Sequence, residues 1–148
     1  MQLRYNTFGK NLVIMDDIKE MLMKRIPYYK TLGFKLIEIK GGKAIFELEL
    51  RKELTQNGMV HGGVLASMLD SACACAALSL IYPHGYITTI DLQVAYLKPV
   101  AKGTLTAKAE CIRNGKNISF SEAKIYNESG EIICTGSSQL LKVELNPK

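Results

Sequence analysis

The stretch Asn57–Leu80, NGMVHGGVLASMLDSACACAALSL, decides the fold. From Gly62 to Leu80 it reads as one long, buried helix of small and apolar residues, far too short in its apolar run to cross a bilayer. Gly63, Ala66, Ser67, Ser71, Ala72, Ala74, Ala76 and Ala77 let other backbone approach on several sides, as a helix wrapped by a curved sheet requires. Two features do not fit a purely structural helix. It opens with His61-Gly62-Gly63, and it carries a lone carboxylate, Asp70, among Ala, Ser, Cys, Met and Leu. A carboxylate in such company needs a bonding partner or a chemical task.

Upstream, DDIKEMLMKRI predicts a short amphipathic helix, with Asp16 or Asp17 as cap, Ile18, Leu22 and Ile26 at four-residue spacing, and Pro27 as its stop. Residues 1–15 show no clear period and are left as an unassigned extension. GFKLIEIK and KAIFELEL flank Gly41-Gly42, a two-residue hairpin signal, and Ala44, Phe46, Leu48 and Leu50 alternate with polar residues. Downstream, YITTIDLQVAYLKP puts Thr88, Ile90, Leu92, Val94 and Tyr96 on one strand face. TLTAKAECIR does the same with Leu105, Ala107, Ala109 and Cys111. Asn114-Gly115 and Asn127–Gly130 then turn the chain through two more strands. Helix, two strands, long helix, four strands implies an α+β architecture: an antiparallel sheet with the helices segregated from it.

A length of 148 residues fits one domain, residues 1–148, and 47% hydrophobic with 22% charged residues is a globular composition. The net charge of +5 favours anionic partners. Nucleic acid is not expected, because no basic stripe is interleaved with aromatics. No secretory leader or membrane span is read, so a cytoplasmic protein is expected. Cys73, Cys75, Cys111 and Cys134 lack histidines at zinc spacing. They are expected to be reduced, apolar thiols with no metal.

The order of elements, with GMVHGGVLASMLDSA entering the helix and TTIDLQVAYLKPV after it, resembles the hotdog-fold acyl-CoA thioesterases, and among them the PaaI-type branch. The likeness covers roughly residues 30–142 and is most specific at Gly58, His61, Gly62, Gly63 and Asp70. It implies a curved antiparallel sheet around the helix at 62–80, and hydrolysis of a small, medium or aromatic acyl-CoA to free acid and CoA. No cofactor is implied beyond the coenzyme A of the substrate. By this resemblance the Gly62 N–H polarises the thioester carbonyl, and Asp70 is the nucleophile or the general base. A helix N-terminus supplies unpaired N–H groups for that purpose, and Gly62 and Gly63, without Cβ atoms, let a substrate carbonyl approach the backbone there, so Gly63 is read as substrate-binding. The alternatives are a plain turn before a helix, and an Asp70 satisfied by Ser67 or Ser71. Gly62 and Asp70 are eight residues apart, about 12 Å along a helix, so one thioester can meet both only if they come from two chains. A homodimer or dimer of dimers is therefore expected, with the site at the interface.

Other candidates are weaker. His61 is read as structural, bonding backbone near the turn. Relatives carry Asn six residues before the His; here that position is Thr55, and Gln56 or Asn57 would have to supply the amide. Turn chemistry at Asn57-Gly58 is the competing reading. Thr89 falls where relatives place a water-orienting hydroxyl, on the same side as Asp91. Met59, Val60, Leu65, Met68 and Leu69 would wall an apolar pocket. Lys98, Lys102, Arg113 and Lys116 are read as one cluster for the phosphates of CoA, or as solvated charges. The second reading of the whole chain is a non-catalytic protein that binds acyl thioesters, with Thr55 marking lost hydrolysis.

Overall fold

The computed structural model describes residues 10–145, with side chains from residue 17 onward. Two helices open it, α1 (Lys10–Arg25) and α2 (Pro27–Leu32), and the break falls where Pro27 cannot extend α1. Because α1 begins at Lys10, Asp16 and Asp17 are interior positions and not caps, which corrects the sequence expectation. The expected extension at 1–15 lies partly outside the described residues, as does the reading that no leader precedes the domain.

Strands β1 (Lys35–Lys40) and β2 (Lys43–Glu49) form the expected hairpin. Gly41 and Gly42 take φ of 55° and 83°, the positive values that a two-residue turn of this hand requires. A 3₁₀ turn, Lys52–Leu54, leads to a small ladder of β3 (Thr55–Gln56) and β4 (Met59–Val60). The long helix α3 (Gly62–Leu78) follows. It stops two residues short of the expected end, as Ser79 and Leu80 enter a run of turns. The remaining strands are β5 (Gly85–Tyr96), β6 (Thr104–Asn114), β7 (Ile118–Tyr126) and β8 (Ile132–Glu144).

The six long strands make one antiparallel sheet in the order β1-β2-β6-β7-β8-β5, with β5 on an edge that no other strand covers among the described residues. α3 packs on one face of this sheet against β2, β5, β6, β7 and β8. The apolar phase of each strand faces the helix: Ala44, Phe46 and Leu48 of β2, Leu105, Ala107 and Ala109 of β6, Ala123 and Ile125 of β7, and Leu140 of β8 are all buried. Met68, Leu69, Ala72, Cys73 and Ala76 fill the core from α3. Small residues work there as expected: a Cβ built on Gly136 would stand 3.0 Å from Leu69 Cδ1.

β5 departs from strict alternation. Thr89 pairs with Leu140 and Asp91 with Gln139, so Ile90 is an extra residue in a bulge. Leu140 faces the core, and paired residues share a face, so Thr89 points at α3 while Asp91 points away. The expectation of one unbroken face from Thr88 to Tyr96, with Thr89 and Asp91 on the same side, is thereby corrected. Thr89 joins Leu92, Val94 and Tyr96, whereas Thr88 and Asp91 lie on the other face.

Candidate active site

The bulge matters because of what it delivers. Asp70 sits on α3 two turns beyond its entry, half-buried, and Thr89 Oγ1 donates a hydrogen bond of 2.8 Å to Asp70 Oδ1. This is the partner the lone carboxylate needed. It comes from the sheet and not from Ser67 or Ser71. The bond orients one carboxylate oxygen and leaves Oδ2 unbonded among the described residues. A charge-assisted bond of this kind is worth about 1.5–3 kcal/mol.

At the start of α3, His61 is the N-cap, and its Nδ1 accepts from the Gly63 N–H at 2.9 Å. An accepting Nδ1 places the imidazole proton on Nε2. His61 thus bonds backbone at the turn, and it consumes the Gly63 N–H that the sequence reading had offered to substrate. The Gly62 N–H has no partner among the described residues, so it is the free donor at the positive end of a 17-residue helix.

Gly62 has a second reason to lack a side chain. The ring of Tyr96 lies over it, so that an added Cβ would stand 3.2 Å from Tyr96 Cζ, and the Tyr96 hydroxyl donates to the Gly62 carbonyl at 3.0 Å. Tyr96 was not among the sequence candidates for the site. The signal was present only as its place on the strand that follows α3. Gly62, Met59, Val60, Leu65, Tyr96, Leu97, Lys98 and Pro99 line an open cavity of about 370 Å³. Met59, Val60 and Leu65 thus line a cavity, while Met68 and Leu69, expected beside them, are fully buried in the core.

The loop before the helix is a tight turn, with Asn57 at φ 52° and Gly58 at φ 79°. Asn57 and Gln56 are exposed, and neither side chain bonds to Asp70 or Gly62 within the chain. Thr55 turns its hydroxyl back to the Lys52 carbonyl at 2.7 Å. The cations do not form one cluster. Lys98 and Lys102 lie beyond the end of β5 and before the start of β6, and Lys98 is paired with Glu131. Arg113 and Lys116 lie at the far end of β6, roughly 30 Å away at the rise of a strand. A single protomer cannot bring all four to one phosphate group.

The cysteines behave as apolar filling. Burial pushes the Cys73 and Cys75 thiols up to about 12, with the nearby Asp70 charge adding to the effect on Cys73. Burial also drives Tyr29 far above its ordinary range, and its hydroxyl lies 3.7 Å from Cys75 Sγ.

With this geometry in view, comparison with known proteins is decisive. The family model of the thioesterase superfamily matches residues 57–134, from the turn before α3 to the start of β8. The chain belongs to the thioesterase superfamily. This member is 29% identical to a 1,4-dihydroxy-2-naphthoyl-CoA hydrolase of Listeria monocytogenes, over 71% of the chain and 86% of that protein. It is 27% identical to a medium/long-chain acyl-CoA thioesterase, YigI, of Salmonella typhimurium, over 82% of the chain and 88% of the relative. Among solved structures, the PaaI protein of the E. coli phenylacetic acid degradation operon superposes with a TM-score of 0.77 at 22% identity, covering 85% of this chain and 91% of that one. That likeness shows the shared hotdog fold.

Proposed function

We propose that this thioester hydrolase acts on acyl-CoA, releasing a free acid and CoA, with Asp70 as its carboxylate base or nucleophile. The observation that carries the reading is the Thr89–Asp70 hydrogen bond, which fixes a half-buried carboxylate on the helix face. In the general-base route, Asp70 takes a proton from water as the water oxygen bonds to the thioester carbon. The carbonyl oxygen then carries the negative charge. Collapse of this adduct breaks the C–S bond, and the CoA thiolate leaves with the proton. In the nucleophilic route, an Asp70 oxygen bonds to the thioester carbon and the C–S bond breaks, expelling the CoA thiolate. Water then cleaves the mixed anhydride, restoring the Asp70 carboxylate and releasing the acid, and the water's remaining proton goes to the thiolate. Either way an N–H donor must meet the developing oxyanion. Gly62 supports that role through its unpartnered N–H at the mouth of an apolar cavity.

The reacting carbon must lie within about 3–3.5 Å of its attacking atom and near its oxyanion donor. About 12 Å separates Gly62 from Asp70 along α3, so the reading places them in opposite protomers of a two-fold dimer. The β5 edge supports this, since among the described residues it offers a row of unpaired backbone groups beside Thr89. A second reading, thioester binding without hydrolysis, draws on Thr55, whose hydroxyl is spent on Lys52.

The test is release of CoA thiol from short, medium, long and aromatic acyl-CoAs by the wild type and Asp70→Asn. Asn still accepts the Thr89 bond, so the fold should survive while turnover falls about 10²–10⁴-fold, the range for loss of a general base. Undiminished turnover in the variant would remove Asp70 from the chemistry. No turnover by the wild type on any substrate would favour the binding protein.

A further inference from the structure

Tyr28 is an exposed aromatic on a rigid mount. Its neighbour Tyr29 is buried, with its ring centroid 6.0 Å from that of Phe34 and 5.4 Å from that of Phe46. At the other end of α2, Arg51 donates to the carbonyls of Thr31 and Leu32 at 2.6 and 2.7 Å. Gly33 closes the helix in the left-handed conformation at φ 81°. On the outer side of this anchored segment Tyr28 keeps 51% of its surface exposed, yet its hydroxyl oxygen lies 2.7 Å from Ser67 Oγ on α3. Ser67 gives its single proton to the Gly63 carbonyl at 2.8 Å, so Tyr28 is the donor of the pair.

Ser67 precedes Asp70 by three residues and shares its helix face. The Tyr28 hydroxyl therefore reaches within about one helical turn, roughly 5 Å along the axis, of the candidate carboxylate. At a surface position water would satisfy this hydroxyl equally well. The bond to Ser67 consequently does little for stability and instead fixes where the ring stands. On that face α3 presents Gly63, Ala66, Ser67 and Ala74, none bulky enough to compete with the ring for apolar contact.

We infer that Tyr28 is a specificity-determining wall of the acyl subsite, favouring flat, aromatic acyl groups over linear ones. The inference rests on the proposal that Asp70 acts on acyl-CoA. A planar acyl group stacks on a fixed tyrosine ring, whereas a linear chain gains only contact area.

The experiment compares kcat/KM for benzoyl-CoA and hexanoyl-CoA in the wild type, Tyr28→Phe and Tyr28→Leu. In parallel, calorimetry measures the affinities of benzyl-CoA and hexyl-CoA, thioethers that cannot be hydrolysed. Tyr28→Leu keeps apolar bulk and should lower the benzoyl-to-hexanoyl ratio roughly five- to tenfold, while Tyr28→Phe, which keeps the ring but loses the bond that fixes it, should fall between Tyr28→Leu and the wild type. The thioether affinities should shift in the same sense. Equal losses for both substrates, or an unchanged ratio in Tyr28→Leu, would overturn the wall. If no variant turns over either thioester but the thioether preference still falls in Tyr28→Leu, the wall stands and hydrolysis is what fails. An unchanged thioether preference would then refute the wall as well.

Discussion

Two inactive variants, mixed, should make an active enzyme. Asp70→Asn removes the carboxylate. Gly62→Val fills the helix entry, where even the first carbon of a side chain would stand 3.2 Å from Tyr96 Cζ. If each site draws Asp70 from one protomer and Gly62 from the other, a mixed dimer holds one intact site and one site with both defects. Random exchange makes about half of the dimers mixed, and one of their two sites works. The mixture should recover about a quarter of the wild-type specific activity. The number follows from the helix itself: eight residues, about 12 Å, set the two groups too far apart for one thioester within a chain. The assay is CoA thiol release after the variants are unfolded together in urea and refolded, with each variant refolded alone as control. Circular dichroism on each variant guards against a misfolded Gly62→Val. Recovery indistinguishable from zero, with mixed dimers confirmed by mass spectrometry, would refute the shared site.

Thr89→Val should cost about tenfold to 10²-fold in kcat/KM, the worth of one charge-assisted bond, while Thr89→Ser retains most activity; equal losses in both would show that the hydroxyl is irrelevant. Cys73 and Cys75 are pushed up to about 12, so above pH ~9 the unfolded chain loses thiol protons that the folded chain retains. Their contribution is therefore intact below pH ~8 and declines as pH rises, by on the order of 1 kcal/mol per pH unit per thiol. Chemical denaturation at pH 8 and 10 should show this fall, and it should shrink in Cys73→Ala/Cys75→Ala; the same slope in both proteins would contradict it. Phe46 is fully buried and packs edge-on to Tyr29 and Phe34, so Phe46→Ala should lose about 3–5 kcal/mol in urea unfolding.

What could be read from residues alone were the features with a local physical cause. Gly41-Gly42 demands a turn of positive φ, alternation at Ala44–Leu48 demands a half-buried strand, and His61-Gly62-Gly63 before a run of small residues demands a helix entry. Asp70 stood out because a carboxylate among apolar residues is costly, although its partner was not certain from the sequence. Thr89 was read on the same face as Asp91, because its direction depends on a bulge at Ile90 that alternation cannot announce. Tyr96 was missed because its role is set by a contact across thirty-four positions of chain, to Gly62. The presumed cation cluster failed similarly: nearness of strand ends on paper did not separate the two ends of the sheet.

The bulge at Ile90 also bears on solubility. β5 runs from Gly85 to Tyr96 with its outer backbone groups unpaired among the described residues, a template on which any stray extended segment could dock and nucleate aggregates. The extra residue interrupts that template between Thr89 and Asp91, so a long flat strand finds no continuous ladder to zip along. A partner strand with a matching interruption meets no such obstacle. The same residue that turns Thr89 toward Asp70 thus acts as a quality filter on what the edge will accept.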